Sequence, residues 1–389
     1  MLFGKETEYW KAHDAAYTAA EIRQNPDTWR KTVTIVREKS DALRVFLARV
    51  LENRDYEVIL TGAGTSEFVG NSIYPYLNTL LEHRVKSYAT TDIVACPWDY
   101  LHADRPTLLV SFARSGNSPE SVAAVEVANA VCKNVYHLFI TCNADGALAV
   151  RGKDNARCFV LNMPPETNDK SFAMTSSYTN MYLACLLCFM DYCRVDSTAT
   201  VEMLLRRAEA FLNGGYAPLV ELVDAFDYRR ITFLGSNCLK GVAQESALKT
   251  CELTAGEVMT TYDSCMGFRH GPKSVVKNDS LSVVYLSDDD YTARYDTDIA
   301  KEIATEKTGK LLIVASQTHE ELRALADAYI SFDNEARLDN AFLGLEFILV
   351  GQVLGLLKSI RNGNTPDNPC VTGQVSRVVH GVNIYPYQK

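Results

Sequence analysis

Metal-ligand spacing is missing from this sequence. Its seven histidines (His13, His83, His102, His137, His270, His319 and His380) form no H-x-x-x-H or H-E-x-x-H pattern, which excludes the common zinc-hydrolase arrangements. Cations are in deficit: 39 Lys plus Arg against 48 Asp plus Glu leave a formal charge of −9, which argues against the broad basic face that nucleic acid requires. A local anion site stays possible. Long apolar runs are lacking too, because the most apolar stretch, 341–357, is interrupted by Glu346 and Gln352 and is too polar and short to read as a membrane span. The first residues mix Lys5, Glu6, Glu8, Lys11 and Asp14 with apolar side chains, so no secretion signal is expected and the cytoplasm is the expected location. Without one, the odd count of 11 cysteines reads as reduced, buried thiols. Cys185-x-x-Cys188 lies in the apolar run 183–190 without a second pair, so core packing is the better reading there.

What is present is an ordinary globular composition, 47% hydrophobic and 22% charged, in 389 residues, enough for two or three domains. Short β-branched runs alternate with helical segments, the pattern of βαβ units and a mostly parallel sheet. Strands are expected at 57–61, 107–112 and 135–141. A shift of about 173 residues brings three strand ends of this region onto 233–235, 281–286 and 313–315 in the same order, and tandem duplication explains this most simply. The expected layout is an N-terminal helical segment (1–54), a first α/β domain (55–200), a helical linker (201–228), a second α/β domain (229–335), and a C-terminal helix and tail (336–389).

The turns Gly62-Ala63-Gly64-Thr65-Ser66 and Ala113-Arg114-Ser115-Gly116-Asn117-Ser118 each lie between a strand and a helix. Main-chain N–H groups at helix N-termini, joined by short hydroxyls, favour an anion. Helix capping alone is the competing explanation, but two such turns at neighbouring strand ends favour phosphate. A dinucleotide is disfavoured, because the third glycine of that fingerprint is missing and no Walker lysine follows either turn. In the second copy only Gly235-Ser236 persists, and Asp288, Asp289 and Asp290 stand where the second turn would be, a charge that would repel phosphate. The second copy also carries Glu245, Lys249 and Glu252 at i, i+4, i+7, which puts carboxylate, ammonium and carboxylate on one helical face. Taken alone, that spacing reads as a solvated, self-paired face.

These turns, G-x-G-T-S and R-S-G-N-S-P-E-S, resemble the sugar isomerase (SIS) domain, a doubly wound α/β fold whose serine-rich turns hold the phosphate of a phosphosugar. Two tandem copies resemble the isomerase half of glucosamine-6-phosphate synthase. Through Ala173-Met174-Thr175-Ser176-Ser177, Gly267-Phe268-Arg269-His270-Gly271-Pro272-Lys273-Ser274 and Gly363-Asn364-Thr365-Pro366-Asp367, the whole chain resembles the AgaS group of galactosamine-6-phosphate deaminases, also called tagatose-6-phosphate ketose/aldose isomerases. The resemblance implies two tandem SIS domains, each a doubly wound, mostly parallel sheet flanked by helices. It implies a deaminating isomerase that releases ammonia from galactosamine 6-phosphate and forms tagatose 6-phosphate, without a cofactor. It further implies Thr65, Ser66, Ser115 and Ser118 as phosphate ligands, and Thr175, Ser176 and Glu245 beside the sugar.

The same resemblance gives Glu252 the C2/C1 proton transfer and His270 the ring opening, with His270 supplied from a neighbouring subunit of a homodimer or higher homo-oligomer. Lys249 then serves electrostatically. Departures from the synthase pattern leave three roles open. Ala113-Arg114 replaces its Ser-Gln, so Arg114 either supplies a charge-assisted contact to phosphate or is a surface side chain of which only the N–H counts. Gly267 replaces a glutamate two residues ahead of the pair that ends in His270. His380 falls near a tail lysine of the synthase and is expected to assist ring opening or amine departure. Competing readings are another phosphosugar isomerase or deglycase with the same cradle, and a non-catalytic sugar-phosphate sensor, which would carry a DNA-binding appendage or lack Glu252.

Overall fold

The computed structural model describes residues 2–379 and 381–388. Among the described residues ten strands are laid down in chain order: β1 (Glu57–Gly62), β2 (Val85–Ala89), β3 (Thr107–Ala113), β4 (Val135–Thr141), β5 (Cys158–Asn162), β6 (Arg230–Leu234), β7 (Met259–Asp263), β8 (Ser280–Tyr285), β9 (Lys310–Ala315) and β10 (Ala328–Ser331). They form two separate five-stranded sheets, ordered β2-β1-β3-β4-β5 and β10-β9-β8-β6-β7, and every strand pair is parallel. Read from the β7 side, the second order repeats the first. β1, β3 and β8 are buried along their whole length, as an all-parallel sheet covered by helices on both faces demands.

The repeat extends to backbone angles. β1 and β6 start at 57 and 230, and β3 and β8 at 107 and 280, both 173 positions apart. Gly64, preceding helix Thr65–Leu80, has φ 55 and ψ −128, while Asn237, preceding helix Cys238–Leu253, has φ 56 and ψ −128. Glycine reaches this combination of positive φ and negative ψ without strain, whereas Asn237 holds it with a side chain, outside the left-handed helical region that asparagine usually occupies.

Two compact units result, and both are discontinuous in sequence. One comprises Asp27–Asp169, Ser176–Ser197 and Thr372–Lys389 and holds the first sheet; the other comprises Met1–Pro26, Lys170–Thr175 and Thr198–Val371 and holds the second. The segments 1–54 and 336–389 are therefore each shared out. In the second unit the Asp367 carboxylate accepts from Tyr17 N (2.9 Å), Thr18 N (2.7 Å) and Thr18 Oγ1 (2.7 Å), which fastens the start of the chain to the end of its last helix. The G-N-T-P-D motif is thus a structural clamp. In the first unit the tail is held by Tyr387, packed on the cluster of Ile93, Leu101 and Val127.

Helix Asn340–Asn362 is long and apolar enough by composition to cross a membrane, yet 94% of its most apolar 18-residue stretch is buried inside the fold, so it acts as a core helix. Its Gly351 meets helix Cys238–Leu253 closely, since a Cβ there would lie 2.4 Å from Ser246 Oγ. Close approach of these two helices seals the charged face that carries Lys249.

Candidate active site

In the first unit the two turns sit at the carboxyl ends of adjacent strands, β1 and β3, which pair Thr61 with Ser111. Open α/β sheets bind ligands at this edge. Thr65 and Ser66, 4% and 7% exposed, are the first residues of helix Thr65–Leu80, whose N-cap is Gly64 and makes no side-chain cap. Ser118 is the N-cap of helix Pro119–Val131 but also makes no capping bond; its hydroxyl pairs with Ser121 Oγ at 2.6 Å. Capping therefore does not account for Ser118. Asn143 Nδ2 donates to Ser115 O (2.9 Å) and Asn117 Oδ1 accepts from Ala147 N (2.9 Å), so the 113–118 turn is braced by the loop after β4.

Arg114 is 6% exposed, which removes the surface alternative, and its Nη2 donates to the Arg377 carbonyl of the tail at 2.6 Å. Ser176 begins helix Ser176–Tyr192, fully buried, and its hydroxyl donates to the Asp169 carboxylate. Asp169 also accepts from Ser177 N (2.8 Å) and Ser177 Oγ (2.6 Å). Thr175 belongs to the other unit, where its carbonyl accepts from Gln352 Nε2 at 3.3 Å.

The second copy's cradle is filled by the chain itself. Asp296 accepts from Ser236 Oγ at 2.5 Å and from Ser287 N at 3.0 Å, and burial raises its pKa against the opposing pull of hydrogen bonds from Cys265 and Ser236. A side-chain carboxylate thus takes the donors. The acidic run has other duties: Asp288 Oδ2 accepts from Leu338 N, Asp289 Oδ1 from Thr292 N, and Asp290 pairs with Arg337.

Helix Cys238–Leu253 carries the charged face, and packing has made it anything but solvated. Glu245 and Lys249 are fully buried, and Glu252 keeps 22% of its side chain exposed. Lys249 Nζ lies 3.3 Å from Glu245 Oε1 and 2.5 Å from Glu252 Oε2. Desolvation pulls the Lys249 pKa down, but the two carboxylates outweigh it and hold the ammonium above the ordinary lysine value. One buried cation thus lies between an enclosed carboxylate and a partly open one. Glu252 is the member of the three that solvent can reach.

His270, exposed, follows the short turn Gly267–Arg269 and precedes Gly271, whose φ is 115. Phe268 anchors this loop in the core of the second sheet, while Arg269 and Lys273 are pinned to Glu302. The backbone that presents His270 is thereby fixed on both sides. His380 lies outside the described residues.

Residues 51–190 match the SIS domain family model. Over 380 residues the chain is 41% identical to D-galactosamine-6-phosphate deaminase AgaS of Shewanella sp. (strain ANA-3), covering 97% of this chain and 94% of that protein. The chain belongs to the AgaS family. Among solved structures, tagatose-6-phosphate ketose/aldose isomerase from Escherichia coli superposes with a TM-score of 0.88 at 39% identity, over 96% of this chain and 97% of that one. The C-terminal domain of glucosamine-fructose-6-phosphate aminotransferase from Francisella tularensis, at TM-score 0.74 and 16% identity over 90% of this chain and 98% of that one, shares the fold.

In this AgaS-family chain, reasoning from sequence overlooked Asp169, Arg377 and the Gly351/Gly355 pair. The glycines were detectable, because two of them four residues apart in an apolar helix mark a close helix approach. Asp169 and Arg377 carried no local pattern; only the fold brings them to the site residues.

Proposed function

We propose that this chain converts galactosamine 6-phosphate and water to tagatose 6-phosphate and ammonia. The observation that carries the reading is the enclosed Glu245–Lys249–Glu252 group with only Glu252 reaching solvent. Burying three charges is costly, and a surface helix gains nothing from it. A proton-transfer site does, because a carboxylate held in fixed geometry beside one cation can take and return a proton on one face of a substrate.

In the proposed sequence, Thr65, Ser66, Ser115 and Ser118 bind the phosphate, together with the main-chain N–H groups of their turns. Thr175 and Ser176 border the sugar, and Glu245 acts on that side by balancing Lys249. His270 moves a proton from the anomeric hydroxyl to the ring oxygen, opening the ring to the aldehyde. Glu252 then removes the C2 proton while the aldehyde oxygen gains one, giving an enolamine. Returning a proton to C1 leaves an iminium at C2. Water adds there, the C–N bond breaks, and ammonia and the ketose phosphate leave. Lys249 orients Glu252 and stabilises negative charge that develops at oxygen. His380 is assigned to assist ring opening or amine departure.

A cytoplasmic homodimer with two-fold symmetry, in which His270 serves the neighbouring subunit, is the proposed assembly. It is supported by exposed apolar side chains around that loop: Met259, Tyr262 and Met266 are 47%, 40% and 48% exposed. The proposed repeat units remain 55–200 and 229–335, flanked by 1–54, 201–228 and 336–389. The test is a coupled ammonia assay on galactosamine 6-phosphate, glucosamine 6-phosphate and their N-acetyl forms. Ammonia from the galacto amine is expected; ammonia from the gluco sugar alone would overturn the substrate assignment.

A further inference from the structure

Arg377, on the C-terminal tail, directs its guanidinium at the stretch ahead of helix Ser176–Tyr192. Its Nε donates to the Asp169 carbonyl at 2.8 Å, and Nη2 donates to that same carbonyl and to Asn168 Oδ1 at 2.9 Å. Its own carbonyl accepts from Arg114 Nη2, in the middle of the 113–118 turn, at 2.6 Å. Asp169 in turn uses its carboxylate on Ser176 Oγ, Ser177 N and Ser177 Oγ. A continuous set of charge-assisted bonds therefore runs from the turn, through the tail, to the start of the helix, all within one compact unit. Beyond it, residues 382–388 border a cleft of about 590 Å³ with Val94, Trp98 and Val127, and Tyr387 packs on the core. The tail is fixed at both ends.

We propose that Arg377 is a positioning residue of the sugar-phosphate site: together with Arg114 it locks the 113–118 turn and the Ser176 helix start into one rigid cradle. This rests on the reading above that the turn holds phosphate. Both segments the clasp ties together are ground-state ligands in that reading, so slack in them weakens binding before it affects the proton transfer. Arg114 is thereby occupied with the tail and acts on phosphate through its turn.

The experiment compares wild-type protein, Arg377→Ala and Arg377→Lys in KM, kcat, thermal melting and competitive inhibition by inorganic phosphate. With Arg377→Ala, the substrate KM and the phosphate inhibition constant are expected to rise together by about tenfold, the size of one lost charge-assisted hydrogen bond, with kcat little changed. Arg377→Lys, which keeps one donor for the Asp169 carbonyl, should recover part of the loss. A role confined to packing would instead lower the melting temperature and leave both constants in place. If Arg377→Ala does not fold, Arg377→Gln carries the same comparison. Unchanged KM and phosphate inhibition in a folded variant overturns the proposal alone; wild-type turnover without any phosphate inhibition overturns the turn assignment and the proposal with it.

Discussion

Replacing Lys249 by methionine removes the ammonium that stands 3.3 Å from Glu245 Oε1 and 2.5 Å from Glu252 Oε2. Methionine preserves much of the side-chain volume, so the change isolates charge. Glu245 is left as a fully enclosed carboxylate without its cation, and breaking a buried pair in this way costs about 3–5 kcal/mol. For a chain of 389 residues that corresponds to a fall in melting temperature of roughly 4–6 °C. The double variant Glu245→Gln/Lys249→Met removes the stranded charge as well and should regain about half of the loss, because the two sites share one interaction. Melts followed by circular dichroism give the stabilities, and ammonia release per folded molecule gives the rate. The rate should fall in both variants, since Glu252 loses the partner that orients it. A single variant melting within about 1 °C of wild type, with the double no more stable, would refute a charge-balanced core here.

Glu346 provides a pH prediction. Burial pushes its carboxyl up to about 8 from the usual 4.5, against the opposing hydrogen bond from Asn334, so the folded protein holds an extra proton between those values. Stability should therefore fall as pH rises from about 4.5 to 8, by about 1.4 kcal/mol for each unit of difference. Glu346→Gln should flatten this profile and be the more stable protein at alkaline pH in urea titrations; parallel profiles for the two would contradict it. The two cradles separate by paired substitutions. Ser66→Ala should raise the substrate KM, whereas Ser236→Ala, which takes one donor from buried Asp296, should cost about 1 kcal/mol of stability and leave KM unchanged. A KM shift in Ser236→Ala would argue that the second turn also meets substrate.

The central strands were legible because they are largely buried and rich in apolar, β-branched residues; β1, β3 and β4 appear within a residue of their expected bounds. The edge strands were not. β2, sequence VKSYA, and β7, sequence MTTYD, are partly exposed, so their polar residues erase the signal. Duplication was readable from three strand ends, since spacing survives after side chains diverge. Burial of the Glu245 face was not, because charge spacing is the same on a solvated helix, and close packing against the glycine-bearing core helix decides the matter. The silence of the second cradle was traced in sequence to Asp288, Asp289 and Asp290, whereas Asp296, on the following helix, fills it. Arg114 stayed ambiguous for a simpler reason: its partner lies 263 residues away.

The central claim is that Glu252 transfers the proton that converts the amino sugar to its ketose. The most direct measurement follows ammonia and tagatose 6-phosphate formed from galactosamine 6-phosphate by wild type and Glu252→Gln, with substrate binding to each measured by calorimetry. Wild type should give equal amounts of both products, and Glu252→Gln should fold and bind substrate but release neither product at a measurable rate. Wild-type turnover by Glu252→Gln would contradict it.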